Sequence, residues 1–162
     1  MSPDVEPRDT EPANQSTLSF SVRHACSADS RALVPLLAEL GHPADEGQIA
    51  GRLADLLASH EVVLVAERDA VLLGVLSVHV TPVLHRPRPV GRLTMLVVAA
   101  VARGLGVGRA LVEHAERILA ARGCGLVEVT SNQRRTDAHA FYRRIGYEVT
   151  SLRFMKALPP AD

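Results

Sequence analysis

Residues 93–122 read LTMLVVAAVARGLGVGRALVEHAERILAAR and predict a strand, a glycine loop and a helix in immediate succession. The run that begins at Leu93 is short and mostly aliphatic or β-branched, which favours a buried strand over a helix. Apolar residues recur at helical spacing from Gly108 onward, and Gly123 predicts the end of that helix. We therefore expect an α/β fold built around this unit.

The loop between that strand and helix has a glycine at every second position, at Gly104, Gly106 and Gly108. Without Cβ atoms its backbone can adopt left-handed conformations and approach a ligand closely. The unpaired N–H groups of the first helical turn point into the loop, and Arg103 and Arg109 flank it. The loop therefore predicts an anion-binding site that fits a pyrophosphate.

Spacing separates three kinds of glycine loop. A P-loop needs Gly-Lys-Ser/Thr at the helix start, where this chain has Gly108, Arg109 and Ala110. A dinucleotide fingerprint fits less well, because Arg109 or Leu111 takes the place of its third small residue. Residues 103–108 do match R-x-x-G-x-G, and here the chain resembles the Gcn5-related N-acetyltransferase (GNAT) superfamily, whose loop binds the pyrophosphate of acetyl-CoA.

Composition excludes several other classes of protein. A chain of 162 residues with 47% hydrophobic residues is long enough for one domain and short for two. Lys+Arg and Asp+Glu are both 18, so charge does not suggest a nucleic acid or an anionic membrane as partner. The two cysteines lie far apart without metal-type companions, and no apolar run reaches membrane length. We therefore expect a soluble, reduced, cytoplasmic protein.

The rest of the chain is read from its periodicity and its turn residues. Residues 1–16 are rich in proline and acids and predict a disordered tail, which leaves residues 17–162 for the domain. Glycine, proline and capping residues separate the expected elements. We expect strands at 18–25, 62–66, 71–80, 93–98, 126–130, 147–150 and 152–156, helices at 27–40, 45–59, 108–122 and 136–144, and an irregular loop at 81–89.

This order of elements is the order of the GNAT superfamily. A second local match strengthens the resemblance, because Asn132 follows the fifth strand and residues 138–147 read A-x-x-F-Y-x-x-x-G-Y. The resemblance implies a single three-layer α/β/α acyl-CoA N-acyltransferase fold. Its central sheet would be mixed and mostly antiparallel, with about seven strands and four helices.

The resemblance also implies acetyl-CoA as co-substrate. Main-chain groups of Leu96 and Val98 would pair with the pantetheine arm, and the loop amides would hold the pyrophosphate. Tyr142 would place its hydroxyl near the thioester sulfur as a general acid, although packing in the core is an alternative role. The expected cofactor-binding residues are Leu96, Val97, Val98, Arg103, Gly104, Leu105, Gly106, Val107, Gly108, Arg109, Asn132 and Tyr142.

The general base is the weakest part of the match. The superfamily often has a glutamate nine residues before the loop arginine, where this chain has Thr94. Threonine does not take a proton, so a water chain, His79 or Glu128 would have to serve. We take Tyr142 and His79 as the candidate catalytic residues, although a lone strand histidine is more often packed or hydrogen-bonded. The histidines show no metal-ligand spacing, so we expect no metal.

Two functions fit these features. The first is acetyl-CoA-dependent acetylation of a primary amine of a small molecule or peptide by direct attack. The second, suggested by the missing carboxylate, is a CoA-binding sensor or scaffold without turnover. Without a carboxylate base we expect an amine of low pKa, and the basic residues in the loop 85–92 favour an acceptor with a carboxylate or phosphate. The sequence also allows a homodimer.

Overall fold

The computed structural model describes residues 19–159, so the expected tail and the expected start of the first strand at Leu18 lie outside the described part. This part forms five strands and four α-helices, with the bounds β1 Ser21–His24, α1 Ser30–Leu40, α2 Glu46–Ala58, β2 Val62–Arg68, β3 Val71–Thr81, β4 Val90–Val98, α3 Val107–Ala121, β5 Leu126–Val129 and α4 Thr136–Arg144. The α/β fold and the expected order are confirmed up to α4. None of these helices is long and apolar enough to cross a membrane.

The strands form one mixed sheet in the order β1-β2-β3-β4-β5. Neighbouring strands are antiparallel except β4 and β5, which are parallel and are connected through α3. A parallel pair needs such a crossover, whereas the antiparallel hairpin of β2 and β3 needs only a tight turn. That turn is made by Asp69 and Ala70, both with positive φ.

Helices cover both faces of the sheet and give the expected three layers. On one face α1 and α2 bury Leu36 and Leu53 against Val75 and other strand residues. On the other face Leu111 and further α3 residues are buried against Leu76, Leu93 and their neighbours. Successive strand residues point to opposite faces, so the continuous apolar runs of β2, β3 and β4 serve both cores.

The expected pair of strands at 147–150 and 152–156 is wrong, since residues 147–159 contain no strand. Alternating β-branched and aromatic residues favour a strand, but a strand forms only where its backbone can pair with a neighbouring strand. The described sheet therefore has five strands instead of about seven. The large apolar side chains of this segment are exposed, namely Val149, Leu152, Phe154, Met155 and Leu158.

A β-bulge in β4 shapes the centre of the sheet. Ser77 pairs with Met95 but Val78 pairs with Leu93, so Thr94 is an extra residue on β4. A bulge bends its strand and increases the local twist. The pairing of β4 with β5 ends at Leu93 and Val129, directly before this bulge. Within residues 19–159 no strand pairs with the second half of β4 on that side.

Candidate active site

The unpaired edge of β4 presents backbone polar groups to the gap beside β5. Ala99 donates its N–H to the carbonyl of Leu73 on β3 at 2.9 Å. Because hydrogen-bonded positions alternate along an antiparallel pair, Val97 also bonds to β3, while Leu96 and Val98 point their N–H and C=O groups into the gap. The structure thus agrees with the expected orientation of Leu96 and Val98. Val97 differs from them, because its backbone faces β3 and its side chain is buried.

A cavity of about 600 Å³ opens beside this edge. Its walls come from α1, α2, the centre of β3 and β4, the residues after β5, and α4. Leucines of α1 and α2 provide an apolar side, and no Asp or Glu is among the described residues that line it. Its polar lining includes His42, Arg52, Ser77, Thr94, Asn132 and Arg135.

Tyr142 on α4 forms part of the cavity wall. Its ring packs edge-on against Phe141 at 5.2 Å between centroids and lies 5.5 Å from the ring of Tyr147. Burial raises the pKa of Tyr142 to about 12, although the charge of Arg135 acts in the opposite direction. The residue therefore both packs in the core and faces the cavity, and its hydroxyl remains protonated at neutral pH.

Thr94, at the expected glutamate position, bonds to β3. Its hydroxyl donates to the backbone carbonyl of Ser77 at 3.1 Å and lies 2.7 Å from the Ser77 hydroxyl. These bonds tie the side chain of Thr94 to β3, although the backbone of this bulged residue does not pair with β3. Where the superfamily often has a carboxylate, this chain thus has the neutral hydroxyl of Thr94, bonded to the neutral hydroxyl of Ser77.

The glycine loop has the backbone geometry of an anion site. Gly104 and Gly106 have φ of +78° and +83°, and a Cβ at either position would meet no atom within 4 Å. The first hydrogen bond of α3 runs from Ala110 N–H to Gly106 O at 3.0 Å, so the preceding first-turn N–H groups have no intrahelical acceptor. Gly108 differs, because its Cβ would lie 3.4 Å from Phe141. Its lack of a side chain therefore allows close packing of α3 against α4, and its role in cofactor binding stays a prediction.

The other predicted loop residues contribute differently. Arg103 Nε donates to Val98 O at 3.2 Å, and its Nη2 lies 3.3 Å from Glu39. Glu39 also accepts the Ala100 N–H at 2.8 Å, which ties the loop to the end of α1. Arg109 pairs with a carboxylate one turn further along α3, Leu105 is 40% exposed, and Val107 is buried in the α3 core.

Asn132 lies on the cavity wall in the turn between β5 and α4. Its Oδ1 accepts the Arg134 N–H at 2.9 Å, which is the arrangement of an Asx turn. Arg135 lies in the same turn and donates through Nη2 to Leu40 O at 2.8 Å, so it joins α4 to α1 across the cavity. The turn role considered for Asn132 is present, and its role in cofactor binding stays a prediction.

Neither side chain suggested as an alternative base lines the cavity. His79 is half exposed and bonds through Nδ1 to Glu61. Glu128 forms an ion pair with Arg92 on the neighbouring strand. His79 therefore does not share the cavity with Tyr142, because it lies two residues beyond Ser77 towards the end of β3.

Basic residues do reach the cavity, but not the ones that the sequence suggested. Arg86 and Arg88, in the loop between β3 and β4, line a separate cleft of about 180 Å³, and Arg92 lies on β4. Arg52 from α2, His42 from the α1–α2 connection and Arg135 line the large cavity instead. Arg52 adjoins the buried helix position of Leu53, but periodicity alone does not tell a cavity-lining residue from a solvated one. Among the described residues no three His, Cys, Asp or Glu side chains cluster as metal ligands would.

Comparisons with known proteins identify the architecture. The sequence profile of the acetyltransferase (GNAT) family matches residues 31–147. The aminoalkylphosphonate N-acetyltransferase of Salmonella typhimurium is 34% identical over 139 residues, which cover 85% of this chain and 90% of that protein. A transcriptional regulator from Bacillus halodurans has a TM-score of 0.80 at 22% identity and covers 86% of this chain and 100% of its own. AAC(6')-Iy, solved with the bisubstrate analogue CoA-S-monomethyl-acetylneamine, has a TM-score of 0.77 at 16% identity over 88% of this chain and 99% of its own.

Proposed function

Because this chain belongs to the acetyltransferase (GNAT) family, we propose that it transfers the acetyl group of acetyl-CoA to the primary amine of a small anionic molecule. The observation that carries this proposal is the cavity itself. It joins the unpaired edge of β4 and the Tyr142 side chain to a lining with two arginines and no described carboxylate. This arrangement suits a thioester on one side and an anionic amine on the other.

The backbone accounts for how acetyl-CoA would be held. The Leu96 and Val98 polar groups would pair with the amides of the pantetheine arm as an added strand does. The first-turn N–H groups of α3 would bind the pyrophosphate. Arg103 Nε bonds to the Val98 carbonyl, whose second lone pair can still accept from a pantetheine amide. The other N–H groups of the guanidinium would be available to the phosphates.

The transfer itself needs orientation more than covalent help from the protein. The amine lone pair forms a bond to the acetyl carbonyl carbon, the carbon–sulfur bond breaks, and the sulfur leaves with the electron pair. The nitrogen loses one proton, and protonation of the thiolate gives CoA and an amide. Tyr142 lines the cavity and would donate a hydrogen bond to the charge that develops on the sulfur.

Three basic side chains support an anionic acceptor. Arg52, Arg135 and His42 line the cavity, where a carboxylate, phosphate or phosphonate would form charge-assisted hydrogen bonds. The Salmonella relative, which matches 85% of this chain, is named an aminoalkylphosphonate N-acetyltransferase. Aminoalkylphosphonates carry an amine and such an anion on one short carbon chain. We therefore place the anion of the acceptor at these side chains and its amine towards Thr94.

The test compares acceptors that differ in a single group. An aminoalkylphosphonate, the amino carboxylate of the same chain length and the uncharged amino alcohol are assayed for release of the CoA thiol. We expect turnover with the two anionic amines, and the highest kcat/KM with the phosphonate. Equal kcat/KM for the uncharged amine would refute the anionic class. Tight acetyl-CoA binding without CoA release for any amine would favour the sensor instead.

Replacing the cavity arginine tests the anion site directly. Arg52→Gln removes one charge-assisted hydrogen bond of about 1.5–3 kcal/mol, so we expect KM for the anionic amine to rise about 10- to 100-fold. Neither kcat nor the kinetics of the uncharged amine should change. The matched control is Arg31→Gln, which removes an exposed arginine of α1 that does not line the cavity. Equal KM values in the two variants would remove Arg52 from the site.

A further inference from the structure

Ser77 is a buried polar residue of the cavity lining to which the family resemblance assigns no function. It is 7% exposed and lies at the centre of β3, opposite the bulge in β4. Val75, two residues earlier on the same strand, is buried against α1 and α2, so Ser77 lies on the sheet face that these helices cover. Ser77 and Thr94 both line the cavity on that face.

The order of the two hydroxyl protons determines what Ser77 presents to the cavity. The contact of 2.7 Å between the two hydroxyl oxygens can use either proton. We assign the single Thr94 proton to the Ser77 carbonyl, which lies 3.1 Å from Thr94 Oγ1, so that Ser77 donates to Thr94. The Ser77 oxygen is left with lone pairs only. In the cavity it is therefore a hydrogen-bond acceptor.

We propose that Ser77 Oγ, oriented by Thr94, accepts an N–H of the incoming amine and that this enzyme takes its acceptor as the uncharged free base. The proposal rests on the proposed function. The hydrogen bonds run from Ser77 through Thr94 to a carbonyl oxygen, which is not a base at neutral pH. The pair of hydroxyls therefore takes up no net proton and does not replace the missing carboxylate. It aligns the nitrogen while the lone pair remains free for the thioester carbonyl.

The proton balance then differs from that of an enzyme with a carboxylate base. Solvent removes one proton from the ammonium before binding, so the bound species is R–NH₂. After the carbon–nitrogen bond forms and the carbon–sulfur bond breaks, the nitrogen loses its second proton to the thiolate or to solvent. The Ser77 contact strengthens during attack, because positive charge develops on the nitrogen and makes its N–H a better donor.

The pH dependence of kcat/KM separates this arrangement from an enzyme-borne base. We expect kcat/KM to rise with pH along a limb whose apparent pKa equals that of each amine substrate. The apparent pKa of that limb should be near 8 for an α-amine and near 10.4 for an alkyl amine. At pH 7 the free base is therefore about 200-fold scarcer for the alkyl amine than for the α-amine. One limb at the same pH for all amines would show a titrating enzyme group and overturn the proposal.

A variant that restores the carboxylate provides the converse test. In Thr94→Glu we expect the limb to move to lower pH and to become independent of the amine, because a carboxylate then removes the proton. The melting temperature of each variant shows that it is folded. A Thr94→Glu profile that still follows the pKa of the amine would contradict the assignment of this position.

A double-mutant cycle tests the role of Ser77. Ser77→Ala removes the acceptor, and Thr94→Val leaves the Ser77 proton free to turn towards the amine, so each should lower kcat/KM about 5- to 100-fold. Because Thr94 acts through Ser77, the double variant should be no worse than Ser77→Ala alone. The control is Ser59→Ala, which loses a hydrogen bond of 2.8 Å to Asp55 O at the end of α2.

The outcomes distinguish this inference from the proposed function. Turnover together with an unchanged kcat/KM in Ser77→Ala refutes only the role of Ser77. Independent, additive losses in the cycle would refute the orientation by Thr94. Absence of turnover with every amine would overturn the proposed function and this inference with it.

Discussion

With coenzyme A at about 100 times its Kd, the wild-type protein should gain about 2.7 kcal/mol of stability, whereas Gly106→Ala should gain none. For a domain of this size that difference corresponds to roughly 5–10 °C in Tm. Gly106 precedes α3 with φ of +83°, and its Cβ would enter open space at the mouth of the glycine loop. An alanine there obstructs the ligand. It also forces the loop out of the left-handed conformation in which its N–H groups point towards the pyrophosphate.

The control for backbone strain lies at the other end of the same helix. Gly123 has φ of +79° and equally open space around its Cβ, so Gly123→Ala carries the same penalty of about 1–2 kcal/mol without touching the loop. We expect both variants to melt lower than wild type without ligand, and only Gly123→Ala to retain the shift with coenzyme A. A full shift in Gly106→Ala would show that the pyrophosphate binds elsewhere.

The second large effect concerns Tyr142. Tyr142→Phe should lower kcat about 10- to 1000-fold while the Kd of acetyl-CoA stays the same, because the interaction is made mainly in the transition state. Phenylalanine keeps the ring that packs between Phe141 and Tyr147, so the fold and the cavity wall are preserved. The measurement is single-turnover acetylation at saturating acetyl-CoA.

The raised pKa of Tyr142 defines what this residue can donate. A phenol whose pKa is about 12 does not fully transfer its proton to a thiolate, since the usual thiol pKa is about 8.5. We therefore expect a hydrogen bond to the sulfur instead of complete proton transfer. Because burial keeps the phenol protonated, kcat should show no alkaline loss from Tyr142 below about pH 11.

Tyr147 provides the matched control for this substitution. Its hydroxyl donates to Glu116 at 2.9 Å, and it does not line the cavity. Tyr147→Phe should lower the melting temperature slightly and leave kcat unchanged. If both variants lost the same activity, the loss would come from packing of the aromatic cluster and Tyr142 would have no part in the chemistry.

Local features were predictable because local residues determine them. Gly104 and Gly106 adopt the left-handed conformations that glycine favours, and α3 begins within one residue of its expected start. The first motif, at residues 103–108, lies in the expected loop, and residues 138–144 of the second lie on the expected helix. For the same reason the exposed segment after α4 was predicted wrongly, since its strand pattern is local and the pairing that makes a strand is not.

The amino-acid sequence by itself determined the order of elements up to α4, the glycine loop and the family, because turn residues, periodicity and motif spacing act over a few neighbouring positions. Only the tertiary structure decided which polar side chains share one cavity. Arg52 and Arg135 line it from segments far apart in sequence, while His79, on the same strand as Ser77, remains outside it. The bulge at Thr94 decides this geometry, because one extra residue separates β4 from β5 and directs Thr94 onto Ser77.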